Sequence, residues 1–216
     1  MSLIKFLNKV VKIFNENKFK KSRFNKRDEP NSTILLHYNN QLSVRIYKGN
    51  GLKTIYFEIS PDQNSEKINC RTKESCCYVN LTFYRYYCSI ANVGCKEISF
   101  VDLLMTCALY VYTMVDLNLK KPLTITDSAE KDGKSILLYN AKNIIDGKRD
   151  LDLGVHYYEK WGFKFNIRLQ NLLIDAIKKG RSEKYLDQNF SDQEGYWIPV
   201  PKSYFVKKLN SFEIPN

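Results

Sequence analysis

The run ISFVDLLMTCALYVYTMVDL, residues 98 to 117, carries only two charges, Asp102 and Asp116. A segment this apolar must leave water, either in a bilayer or in a core that covers it on nearly all sides. Aspartate is costly at bilayer depth, and the basic flanks that orient a membrane span are weak, so a buried core helix is the expectation. A chain of 216 residues, 44% hydrophobic and 13% aromatic, can supply that cover. The same composition argues against wholesale disorder.

The segments around this helix read as a mixed α/β (α+β) chain. TILLHYNNQLSVRIYKGNGLKTIYFEIS, from residue 33, reads as three strands joined by turns at Asn39–Asn40 and at KGNG. Asn and Gly accept the positive φ that hairpin turns need. A polar loop from Pro61 follows, then YVNLTFYRYYCSIANV, residues 78 to 93, which reads as one strand whose period slips near Cys88, as at a bulge. After the apolar helix come the strand PLTITDS, a long excursion over 128 to 155 containing a helical SILLYNAKNII, and the aromatic stretch VHYYEKWGFKF. Here a helix stops at Gly162, the residue that takes a left-handed conformation without steric cost, and FKFNI alternates as a strand. LQNLLIDAIKKG closes as a helix ending at Gly180, and YWIPVPKSYF reads as an extended tail.

Charge divides the chain unevenly. Residues 1 to 28 hold nine basic side chains against Glu16 and Asp28, a net +7 of the total +11. Within them LIKFLNKVVKIF places Leu3, Phe6, Leu7, Val10, Val11 and Phe14 on one helical face, with Lys5, Lys9 and Lys12 elsewhere. The expected organisation is therefore a basic amphipathic helix and linker over 1 to 28, then a single domain over 29 to 216. Such a segment favours an anionic partner: an acidic protein, nucleic acid or an anionic lipid surface. An amphipathic helix more commonly docks its apolar stripe on its own domain or a partner than on lipid.

The cysteines at 70, 76, 77, 88, 95 and 107 show no C-x-x-C spacing, and His37 and His156 are the only histidines, so no zinc site is expected. Cys88 and Cys107 lie in apolar runs and read as core residues. Cys70, Cys76 and Cys77 read as loop thiols. No signal peptide is evident, so the thiols are expected to be reduced and the protein intracellular: cytoplasmic or virion-associated. Frequent Lys, Asn, Ile and Tyr with sparse Gly and Pro fit an AT-rich genome, as in some protists and large DNA viruses.

Strand, long helix, strand, then Tyr158-Glu159-Lys160-Trp161-Gly162-Phe163 resembles the C-terminal half of the GNAT (Gcn5-related N-acetyltransferase) fold, over roughly residues 78 to 170. The resemblance implies a mixed central sheet flanked by helices. YVNLTFYRYYCSIANV would be its central strand and LTITD the neighbouring parallel strand, with acetyl-CoA entering where the two splay. It also implies that Tyr158 matches the tyrosine that protonates the departing CoA thiolate. Val93, Gly94, Cys95 and Lys96 would stand where the family binds pyrophosphate. There the family's glycine-rich pattern is reduced to Gly94 alone, and Glu97 adds a negative charge. Tyr84, Arg85, Tyr86 and Tyr87 occupy the central strand where the family commonly places a general-base carboxylate.

The expected function is thus a divergent, non-catalytic GNAT-like protein, acting as a binding or structural component through its basic N-terminal segment. The alternative is an acetyl-CoA-dependent N-acetyltransferase acting on an amine-bearing substrate. Tyr158, Trp161 and Phe163 also read as core aromatics, and His156 as a polar rim residue. Arg85 among tyrosines admits a nucleic-acid reading, although tyrosines on a strand are ordinary sheet chemistry.

Overall fold

A computed structural model of the chain describes residues 1–16, 32–38, 42–49, 52–59, 77–94, 98–115, 121–127, 130–131, 134–148, 156–190 and 193–212. It forms two compact units, one of Met1–Lys121 with Val200–Asn216 and the other of Pro122–Pro199.

The first unit is built on an antiparallel meander. Its strands are β1 (Ser32–His37), β2 (Leu42–Gly49), β3 (Leu52–Ile59), β4 (Cys77–Phe83) and β5 (Cys88–Gly94), each paired with the next. The β2–β3 ladder closes at Gly49 opposite Leu52, and the expected turn residues Asn39, Asn40, Asn50 and Gly51 lie outside the described residues. Period-two alternation sends Leu42, Val44, Ile46, Ile55, Phe57, Ile59, Val79 and Leu81 to one face, where all are buried. The other face carries Arg45 ion-paired to the buried Glu58 at 2.8 Å and a Thr54–Thr82 hydroxyl pair at 3.2 Å.

Among the described residues, this unit also has the helices α1 (Leu3–Glu16), α2 (Ile98–Met114) and α6 (Lys202–Asn210). The apolar run does form a buried helix, with Leu104, Met105, Cys107, Ala108, Leu109, Tyr110 and Val111 wholly covered. It packs on β3 and β4, and α1 and α6 pack on it. Ser2 caps α1, its hydroxyl accepting from Lys5 N at 3.4 Å. All six apolar side chains of the α1 stripe are buried. Phe14 meets the Phe83 ring at 4.6 Å, and Tyr110 donates to Asn8 Oδ1 at 2.7 Å.

The second unit has a three-stranded sheet in which β10 (Gln193–Trp197) lies between β6 (Leu123–Asp127) and β9 (Phe163–Lys164), antiparallel to both. The excursion holds a two-residue hairpin, β7 (Glu130–Lys131) with β8 (Lys134–Ser135), followed by α3 (Ile136–Ile145). α3 packs with α4 (Ile167–Lys178) and α5 (Glu183–Phe190) around Leu137, Ala141, Leu173, Ala176, Leu186 and Phe190. No helix among the described residues is long and apolar enough to cross a membrane.

Several expectations are corrected. YVNLTFYRYYCSIANV is two strands rather than one, because Tyr84 N donates to Tyr87 O at 2.9 Å and turns the chain back. The register shift falls at Asn80/Leu81, away from Cys88. The strand after Gly162 is only two residues long, since the Asn166 side chain accepts from Arg168 N at 3.0 Å and starts α4. The supposed extended tail is β10 followed by a helix, and α5 was not anticipated. Cys77 is not a loop thiol: it is buried in β4 and disulfide-bonded, contrary to the expectation of reduced cysteines. Cys70 and Cys76 lie outside the described residues.

Candidate functional site

The aromatic stretch forms a short 3-10 helix, Tyr157–Trp161, ended by Gly162 at φ 91° with its N–H donating to Glu159 O at 2.9 Å. This is the expected order of helix, glycine stop and strand, in a tighter helix than anticipated. The turn is held by pieces distant in sequence. Trp197 of β10 donates from Nε1 to Trp161 O at 2.9 Å, and Ile198 N donates to Gly162 O at 3.1 Å. A Cβ on Gly162 would come within 3.4 Å of Trp197 Nε1, so the close approach and the positive φ both require glycine. Gln170 of α4 donates to Glu159 Oε1 at 2.8 Å.

Tyr158 and Trp161 are each 5% exposed and Phe163 is fully buried. The Tyr158 and Trp161 rings lie 5.7 Å apart, and the Lys160 ammonium sits 4.1 Å over the Trp161 ring. His156 is not a rim residue: it is 1% exposed and stacks on Phe165 at 3.8 Å and 10°. Phe165 in turn lies so close to Gly195 that a Cβ there would meet its ring at 2.5 Å. The arrangement is that of a packed joint between a turn, a helix and a sheet. An open depression of about 500 Å³ in the same unit is lined by Ile144, Ile145, Asn171, Ile174, Asp175 and Lys178, and Tyr158 does not border it.

The other residues that the family resemblance would assign to acetyl-CoA divide between described and undescribed positions. Val93 pairs with Val79 and Gly94 with Tyr78 in the β4–β5 ladder. Cys95 and Lys96 lie outside the described residues. Tyr84, Arg85, Tyr86 and Tyr87 do not occupy a strand; they form the turn that joins β4 to β5. No carboxylate occurs in the sequence from Cys77 to Gly94. Among the described residues no group of three or more His, Cys, Asp or Glu side chains is placed to hold a metal ion.

Two surfaces of the first unit carry charge outward. On α1, Lys5, Lys9 and Lys12 recur at helical spacing and are exposed, opposite the buried stripe. Lys12 reaches Glu16 at 3.8 Å in a solvent-exposed pair. At the β4–β5 turn, Tyr84 and Tyr87 stack at 4.5 Å and 12°, and Tyr86 is 73% exposed with the Arg85 guanidinium 5.1 Å from its ring. Lys121 Nζ donates to Tyr84 O at 2.6 Å, and Lys53 Nζ lies 4.9 Å over the Phe14 ring.

Among the described residues, the Cys88 and Cys107 thiols are not poised for nucleophilic chemistry. Burial pushes the Cys88 thiol up to about 12, with Lys121 offsetting only part of the effect. Burial raises Cys107 as well.

The chain matches no family model, no curated protein and no solved structure.

Proposed function

We propose that the chain is a divergent, non-catalytic GNAT-like protein that works as a binding or structural component, holding an anionic partner through residues 1 to 28. The observation that carries this reading is the two-sided helix α1. Its apolar side is consumed by packing, while Lys5, Lys9 and Lys12 form an outward stripe. Insertion of that helix into lipid needs a free apolar face; with the face covered, long-range charge is what remains to attract a partner. The basic sequence that follows Glu16 adds Lys18, Lys20, Lys21, Arg23, Lys26 and Arg27. Absence of catalysis is supported by Tyr158, which is enclosed by neighbouring side chains, and by the lack of a carboxylate along 77 to 94 to accept a proton.

Retention on immobilised heparin tests the reading, because heparin presents anionic charge without a specific shape. The parent is expected to bind and to elute as salt rises. The variant Lys5→Glu, Lys9→Glu, Lys12→Glu is expected to elute at clearly lower salt with its thermal unfolding unchanged. Equal elution of the two proteins contradicts the proposal.

A second reading, acetyl transfer to an amine, is favoured by one observation: Gly162 takes the left-handed conformation directly after Tyr158-Glu159-Lys160-Trp161, as the motif implies. It requires micromolar binding of acetyl-CoA and proton donation by Tyr158.

A further inference from the structure

We infer that the β4–β5 turn is a stacking platform for single-stranded nucleic acid, the anionic partner of the basic segment. This inference rests on the proposed binding function and names the class of its partner. A turn of sequence Tyr84-Arg85-Tyr86-Tyr87 is an uneconomical way to close a hairpin. It contains none of the Gly, Asn, Asp or Pro residues that ease such turns, and it leaves two large rings in water. Tyr86 is 73% and Tyr87 39% exposed, and Tyr87 is already parallel to Tyr84 at 12°. Aromatic rings open to solvent beside a guanidinium suit stacking by the π-face of an unpaired base.

Among the described residues, three cations adjoin the turn. Arg85 lies 5.1 Å from the Tyr86 ring, and Lys121 is anchored through Nζ to the turn's own Tyr84 carbonyl at 2.6 Å. The adjoining ladder pair, Phe83 opposite Lys53, brings a third cation to this end of the sheet. Phe83 also meets Phe14, near the C-terminal end of α1, at 4.6 Å. The C-terminal end of α1 therefore lies at the same end of the unit as the tyrosine turn. A phosphate backbone is matched by the cations, and successive bases by the rings. An acidic peptide would use the charge and leave the rings idle.

Fluorescence anisotropy of the full chain with labelled oligothymidine tests this, alongside retention on heparin. The double variant Tyr86→Ala, Tyr87→Ala is expected to weaken oligothymidine binding about tenfold or more, with heparin elution and thermal unfolding unchanged. Tyr86→Phe keeps the ring and is expected to keep the affinity. Arg85→Ala is expected to weaken both probes. Oligothymidine affinity unaltered in the double variant overturns the platform while leaving the charge-based function standing if heparin still retains the protein. Tighter binding of a duplex than of oligothymidine by the parent also overturns it. Failure of the parent to bind heparin sinks the underlying function itself.

Discussion

Tyr158 and Trp161 share one 3-10 turn and are equally buried, so the Tyr158 hydroxyl is what separates a catalyst from a packing residue. If the turn is a joint, Tyr158→Phe keeps the ring and shifts stability by about 1 kcal/mol or less. Trp161→Ala empties a buried aromatic site and costs roughly 3–5 kcal/mol. Urea unfolding of both variants is the check, and a strongly destabilised Tyr158→Phe would count against the joint. At this scale the sequence was legible where the cause is local. Gly162 announces its positive φ because few other residues accept it. Gly195 announced nothing, because its need for a missing side chain comes from Phe165, thirty positions away, lying against it. His156 misled for the same reason: its ring is covered by a stacking partner that no sequence spacing reveals.

Among elements, α1 was readable from its 3.6-residue period, and α2 from its apolar length. The β4–β5 hairpin was not. Its turn residues favour strand, so the sixteen residues read as one piece, and the reversal is imposed by the antiparallel ladder Phe83–Cys88, Thr82–Ser89 and Leu81–Ile90. α5 carried a signal that was available, since Ser182 Oγ accepts from Tyr185 N at 3.3 Å in the manner of an N-cap. The burial of the α1 stripe has a direct consequence. Phe6 is 1% exposed, and Phe6→Ala is expected to cost roughly 3–5 kcal/mol. Thermal or urea unfolding measures it, and a loss under about 1 kcal/mol would show that α1 is a detachable appendage after all.

For the molecule as a whole, the mixed α/β class was legible, and the division into two compact units was not, because it follows from long-range pairing rather than from a change in composition. Buried acids of the first unit set how that unit responds to alkali. Burial pushes the Cys88 thiol from 9.0 to about 12 and, with Cys88 as a smaller influence, the Tyr112 phenol from 10.0 to about 12. The unfolded chain therefore releases these protons first and binds fewer of them at a given alkaline pH. The contribution of these groups to stability is full below about pH 9 and falls as pH climbs from there toward about 12. Urea midpoints at stepped alkaline pH check this, and Cys88→Ala is expected to flatten the decline; a midpoint that rises with pH over that window contradicts it.

The proposal that the chain is non-catalytic is tested most directly by isothermal titration of the full chain with acetyl-CoA. A chain that keeps the joint as packing and attracts its partner by charge is expected to give no saturable heat above dilution at micromolar ligand, and no acetylation of an amine. Saturable micromolar binding, with an amine acetylated by the parent and a rate reduced about a hundredfold or more in a folded Tyr158→Phe variant, would contradict it and establish the enzyme instead.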